Sequence, residues 1–170
     1  MTEYRLSAVS SSSAKNIIVA KIRCQQALLQ KHKKGATSNT SLEKIYSALD
    51  MAQSSNEIFL CEARAAKSYW NSWKLLLPKF VNFSGRKPRC KDTVNIFLDI
   101  GYHILKNEIV KILRERNMES SLGVLHEAKR ATSEPLAYDL MELFRADIVD
   151  AEVLKFLRKK KKPFRFEDGK

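Results

Sequence analysis

A chain of 170 residues, 44% of them hydrophobic, is long enough to bury one cooperative core and short for two. Its 31 Lys and Arg against 19 Asp and Glu give a formal charge of +12, which suits a phosphate backbone or an anionic membrane surface and argues against an acidic protein partner. No apolar run approaches the roughly 20 residues that span a bilayer, and the start, MTEYRLSAVSSSSAKNIIVAK, has no secretory pattern, so a soluble, cytoplasmic protein is expected. Cys24, Cys61 and Cys90 are odd in number, widely spaced and free of any CxxC pair, which disfavours a disulfide framework or a zinc knuckle and leaves reduced, packed thiols.

With 5 Gly and 4 Pro and no alternating strand pattern bounded by hairpin signals, the chain reads as all-α. Three divisions are expected: an N-terminal segment 1–14, a helical domain 15–157 and a basic tail 158–170. Ser10 to Ser13 precede AKNIIVAKIRCQQALLQKHKKG, where Ile17, Ile18, Ile22 and Leu28 recur near helical spacing, and a serine there is expected to cap the helix. GATSNTS is a turn. SLEKIYSALDMA carries Leu42, Ile45, Tyr46 and Leu49 on a second helix, with an interruption near QSSNE. NEIFLCEARAAKSYWNSWKLLL then runs without a breaker to Pro78. NFSGRKPRCKD reads as a basic loop, after which Asp92 caps a long helix with Val94, Leu98, Leu105, Ile109 and Ile112 on its apolar stripe. Gly101 falls on that stripe, where a small residue lets another helix approach closely. Ser133 and Pro135 mark the start of PLAYDLMELFRADIVD, and KFLRKKKKPFRFEDGK is a short helix ending in a basic tail.

Two helices carry polar groups that their patterns do not explain. Ile58, Ala65, Tyr69, Trp73 and Leu76 fall on one stripe, and Glu62 sits near its centre. A buried, unpaired carboxylate costs several kcal/mol, so Glu62 must be ion-paired, metal-bound, protonated or placed at the rim of a cleft. On the helix from Pro135, Leu136, Leu140, Leu143 and Phe144 make the apolar face, with Asp139 and Glu142 together beside it at i and i+3. These two either form a solvated edge that suits the helix dipole or share a cation. Of the histidines, His103 lies opposite the apolar stripe of its helix and His32 lies in KHKK, so both read as solvated; His126, after the apolar LGVL, remains as a ligand candidate. Oxygen and imidazole donors without thiolate suit Mg²⁺ or Mn²⁺ better than structural zinc, and such an ion on a basic chain suits phosphodiester chemistry. Tyr69, Trp70 and Trp73 sit at helical spacing and read as core rather than as base-stacking residues.

These segments are recognisable. His126 followed by LAYDLMELFRADIVD resembles the helical catalytic domain of the CRISPR-associated adaptation endonuclease and integrase Cas1, and CEARAAKSYW and DTVNIFLDIGYHIL resemble two further segments of that family, in the same order along the chain. The resemblance implies a single all-α domain like the C-terminal catalytic domain of Cas1, without the usual N-terminal β domain: either a short or truncated member, or one whose missing part a second chain supplies. It implies metal ligation and catalysis by Glu62, His126 and Glu142, with Asp139 lining the same pocket. It implies a Mg²⁺- or Mn²⁺-dependent endonuclease or integrase of CRISPR spacer acquisition, cutting DNA phosphodiesters by hydrolysis or joining them by 3′-hydroxyl transesterification. The implied partners are double-stranded or branched DNA, the small protein Cas2 and a second copy of the chain, with no membrane, in a prokaryotic cytoplasm. Arg86, Lys87, Arg89 and Lys91, Lys129 and Arg130, and the run from Arg158 and Lys159 to Lys162 are candidates to track phosphates, or else form a solvated surface. Two other readings stay open on the residues: an inactive DNA-binding or assembly subunit of the same fold, and an unrelated bundle in which Glu62 is ion-paired.

Overall fold

The computed structural model describes residues 2–32, 39–126 and 134–162, and side chains within them except those of 2–11 and 39–43. Among the described residues six α-helices follow one another: α1 (Thr2–Lys31), α2 (Asn39–Met51), α3 (Ser55–Trp73), α4 (Thr93–Glu115), α5 (Pro135–Arg145) and α6 (Ala151–Lys159). Among the described residues there is no strand, as the periodicity predicts, and no helix long and apolar enough to cross a membrane.

Local signals explain most of the boundaries. Ser54 accepts from the Glu57 backbone N–H while the Glu57 carboxylate accepts from the Ser54 N–H, a reciprocal capping box at the interruption expected near QSSNE. The Asp92 side chain accepts from the Asn95 N–H and starts α4, and Pro135 occupies the first turn of α5. The start of α1 differs from expectation: the helix runs unbroken from Thr2, so Ser10 to Ser13 lie inside it rather than capping it. Serine in a helix interior costs only about half a kcal/mol, and the rest of the segment has nothing to stop the helix.

Two apolar clusters form the interior. One gathers Leu28 and Leu29 of α1 with Tyr69, Trp70 and Trp73 of α3, the stripe of α4 and residues of α5 and α6. The other joins Ile18 and Ile22 of α1 to Ile45 and Leu49 of α2, Ile58, Cys61 and Ala65 of α3, and Leu125. The predicted α3 stripe is buried throughout, and Trp70, Trp73 and Phe83 pack edge to face, so the aromatic residues are core as expected. Cys24, Cys61 and Cys90 are free thiols, Cys61 buried and the others half-buried. Two positions depart from the helical wheels. Ile112 and Phe144, both expected on buried faces, are exposed and line a shallow apolar groove with Ile104 and Ile148.

The reason Phe144 turns outward is that α5 packs with its polar side inward. Ala137, Asp139, Met141 and Glu142 are buried, while Tyr138 and Phe144 are exposed. From α5 the chain passes through a π-helical turn (Ala146–Asp150), whose wider loop is closed by the Ala151 N–H donating to the Ala146 carbonyl five residues back. One inserted residue rotates the remainder of the helix by roughly 100°, and Val149 and Asp150 face inward as a result. Gly101 meets this turn, and a Cβ built on it would lie 2.5 Å from Val149 Cγ1. The close approach expected of Gly101 is therefore made by the π turn.

Gly101→Ala is expected to destabilise the protein by about 1–2 kcal/mol despite the better helix propensity of alanine, because the stiff, buried Val149 has to give way. In urea unfolding, Val149→Ala added to Gly101→Ala should recover much of that loss, and strictly additive effects would contradict the contact.

A candidate metal centre beside a basic cleft

Glu62 is not unpaired. The ammonium of Lys21, on α1, donates to Glu62 Oε1 at 2.5 Å and pairs with Glu142 Oε2 at 2.7 Å, so one cation joins carboxylates from α3 and α5. The Lys21 side chain is 7% exposed, that of Glu142 7% and that of Glu62 20%, which places Glu62 at the rim of the group. Of the alternatives open for Glu62, the structure has the ion pair and the rim position together. Lys21 lies between Ile18 and Ile22 of one apolar cluster, and Glu142 follows Met141 of the other, so the ion network ties the two clusters to each other.

Behind Glu142 stands Arg145, one helical turn on. Its Nη1 donates to both Glu142 oxygens, at 2.9 and 3.1 Å, and its guanidinium lies 4.3 Å from the Tyr102 ring centroid. Burial by itself would lower the pKa of Arg145, but its neighbours outweigh this and hold it firmly charged. Burial pushes Glu142 up; Arg145 and Lys21 prevail, and Glu142 stays ionised below the usual carboxylate range. Asp150, delivered by the π turn, is fully buried and accepts from the hydroxyls of Tyr69, at 2.7 Å, and Tyr102. Burial wins there and raises Asp150, and both tyrosine hydroxyls are pushed well above their ordinary value, first by burial and then by that carboxylate.

Asp139 is wholly enclosed rather than solvated at a helix edge. Its Oδ1 accepts from the His126 ring Nδ1 at 2.7 Å and from the His126 backbone N–H at 3.1 Å, and its Oδ2 accepts from the N–H groups of Val124 and Leu125. One carboxylate thus folds the segment 124–126 onto α5 and sets the orientation of the imidazole, leaving Nε2 as the nitrogen available for a ligand. Burial raises Asp139, yet the donated hydrogen bonds, His126 first, hold it below the usual range. His126, with 42% of its side chain exposed, has a raised pKa, chiefly through the Asp139 hydrogen bond and further through the charges of Glu142 and Glu62.

The donor chemistry of Glu62, Glu142 and His126, two carboxylates and an imidazole, fits a divalent Mg²⁺ or Mn²⁺ ion. Two of the three already share one cation. Among the described residues, however, no three His, Cys, Asp or Glu side chains stand close enough together to hold a single ion, and the space between Glu62 and Glu142 is taken by Lys21.

Next to this network a cleft of about 480 Å³ is lined by Lys21, Gln25, Lys67, Asn71, Arg86 and Arg145 among others. Arg86, a candidate phosphate contact, is a half-buried strut as well: it donates to Asn95 Oδ1 and pairs with Asp99. Lys87, Arg89 and Lys91 are exposed on the same loop, as are Arg158 and Lys159 at the end of α6, where Arg158 Nη1 lies 2.7 Å from His32 Nδ1. His32 is accordingly half-buried rather than solvated, while His103 is exposed as expected. Lys129 and Arg130 lie outside the described residues. Lys21 and Arg145 escaped the sequence reading, although a lysine between Ile18 and Ile22 on an apolar face is the same anomaly that singled out Glu62.

A family model described as CRISPR associated protein Cas1 matches residues 2–169. The chain belongs to the Cas1 family. It is 33% identical over 150 residues to the CRISPR-associated endonuclease Cas1 of Mycobacterium tuberculosis, an alignment covering 86% of this chain and 44% of that protein. With a CRISPR-associated endonuclease Cas1 of Saccharolobus solfataricus it shares 30% identity over 151 residues, 85% of this chain and 43% of the relative. This chain therefore spans less than half the length of these curated relatives. A solved casposase bound to integration product superposes with a TM-score of 0.81 at 28% identity, covering 90% of this chain and 44% of that one. A Cas6-RT-Cas1–Cas2 complex contains a chain that superposes at 0.78 with 26% identity, over 91% of this chain and 17% of that one. The three segments that resemble Cas1 in sequence lie on α3, on α4, and on residues 126 and 135–150, the elements that surround the Lys21 network.

In metal-free buffer the His126–Asp139 pair should contribute stability that is complete below the ordinary histidine value of 6.5 and is lost as pH rises through the raised value of folded His126. The difference in Tm between the wild type and His126→Gln, followed from about pH 5 to about pH 9, should shrink as pH rises. Asp139→Asn should cost about 2–4 kcal/mol, since an amide cannot accept from four donors at once.

Proposed function

We propose that this chain is the catalytic helical part of a Cas1-type DNA endonuclease or integrase of CRISPR adaptation, dependent on Mg²⁺ or Mn²⁺. The observation that carries this reading is the pairing of Glu62 and Glu142 around one cation position next to a basic cleft, with the His126 ring oriented by Asp139 and feeling the charges of both glutamates. Family membership supports it, as do the names of relatives called endonucleases and the casposase bound to integration product.

Glu62, Glu142 and His126 are the residues to hold the divalent ion, which when bound supplies charge neutralisation at a phosphodiester and acidifies a water or 3′-hydroxyl nucleophile. Asp139 acts through His126: it keeps Nδ1 hydrogen-bonded and so presents Nε2 in a fixed direction. Arg145 clamps Glu142 from behind and keeps it ionised. Lys67 and Arg86 give the adjoining cleft its positive charge, and Lys87, Arg89 and Lys91 extend that charge over the exposed loop. Duplex or branched DNA is the substrate that matches this arrangement, with hydrolysis or 3′-hydroxyl transesterification as the reaction. Assembly with Cas2 is supported by the complexes in which a related chain is found.

Clean protein incubated with branched DNA and Mn²⁺ should nick it, and Glu62→Ala or His126→Ala should reduce nicking to background. Asp139→Asn should slow it by about 10–100-fold, as expected when the partner of a metal-binding histidine is removed. Absence of any metal-dependent product would favour a non-catalytic DNA-binding subunit of the same fold. Replacing Lys87, Arg89 and Lys91 together by Ala should reduce the slope of log affinity against log salt by about 0.9 for each phosphate no longer neutralised, with little change in nicking rate at saturating DNA.

A further inference from the structure

A ligand set made of Glu62 and Glu142 leaves Lys21 unexplained. The lysine is buried on the inward face of α1 and takes the space between the two carboxylates that a metal would need. Glu62 and Glu142 already face the cations of Lys21 and Arg145, with Asp150 a further buried carboxylate beside Arg145. A divalent ion would add two more buried positive charges, which favours departure of a cation or arrival of an anion.

The two cations differ in their freedom to depart. Arg145, which lines the same cleft as Lys21, is clamped to both Glu142 oxygens through Nη1 and stacked on Tyr102. Lys21 has a flexible four-carbon stem and a compact ammonium, and its side chain also lines the cleft that holds Lys67, Arg86 and Asn71. Because the Lys21 side chain borders both the carboxylates and that cleft, rotation about its stem would carry the charge from one to the other. There it adds to a positive wall that a phosphate ester would neutralise, supplying the anion that the charge balance requires.

We infer that Lys21 is a positioning residue that keeps the metal centre closed: its ammonium pairs Glu62 with Glu142 in the metal-free protein, and it yields that place to a divalent ion by turning into the basic cleft, where it meets a substrate phosphate. This rests on Glu62 and Glu142 being metal ligands. Because the open arrangement is a minor state of the free protein, metal affinity is held down by the population of that state, and phosphate in the cleft raises it.

Two measurements on the full chain without DNA test the inference. Mn²⁺ binding, followed by the electron paramagnetic resonance of the free ion, should be about tenfold or more tighter in Lys21→Met than in the wild type, since the competing cation is gone. In the wild type, reductive methylation of Lys21 with formaldehyde and cyanoborohydride, read by peptide mass spectrometry, should accelerate several-fold when Mn²⁺ is added, and Glu142→Gln should remove the acceleration. The second measurement needs no change at Lys21 and so does not depend on the folding of that variant. Mn²⁺ binding that Glu142→Gln weakens, but that leaves Lys21 reactivity unchanged and is no tighter in Lys21→Met, overturns the role of Lys21 while sparing the metal site. Binding indifferent to Glu142→Gln overturns both.

Discussion

The ammonium of Lys21 between Glu62 and Glu142 is the contact on which the arrangement of this protein turns. It brings together α1, α3 and α5 at one point, across the boundary between two apolar clusters. Buried ion pairs return little net stability after desolvation, but removing one partner leaves a charge that the interior cannot solvate. The cost of breaking the network therefore fixes which faces of the three helices meet. It also explains why α5 turns a side bearing two carboxylates inward and leaves Phe144 outside.

Around that point the supporting groups are layered. Arg145 and Tyr102 back Glu142, and Tyr69 and Tyr102 hold Asp150 on the far side of the π turn. Asp139 connects the segment 124–126 to α5 and orients His126. Hydroxyls, backbone N–H groups and a guanidinium thereby satisfy the buried carboxylates. Lys21, with its flexible stem, is the member of the network best able to move. Gly101 belongs to the same construction, because the π turn that delivers Asp150 can pack against α4 only where there is no Cβ.

The family relation and the fold agree with this geometry while leaving its state distinct. The chain matches a Cas1 family model along nearly its whole length and superposes on a casposase that has been seen with its integration product. Its carboxylates are nevertheless closed on a lysine, and the basic cleft opens beside them. Closure by an internal cation is a physically sensible state for two neighbouring buried acidic groups. It offsets their mutual repulsion.

Helix content, the interruption near QSSNE, the Asp92 cap, the Pro135 start and the apolar stripe of α3 were all legible in the residues, because each is set by neighbours within a few positions along the chain. So was the oddity of Glu62, since an acid in an apolar stripe is a local contradiction. His126, Asp139 and Glu142 stood out on their own segments, and the family pattern joined Glu62, His126 and Glu142 into one expected ligand set with Asp139 beside it. The partner of Glu62 was beyond reach: Lys21 lies 41 residues away on another helix, and helical periodicity says nothing about which faces of different helices meet. The same holds for α5, whose hydrophobic residues suggested one inward face while the cations of α1 and of its own last turn selected another. Sequence by itself determined the helices and the chemistry they carry; only tertiary packing decided that a lysine sits where the metal is expected, because pairing of buried charge is a property of the assembled interior.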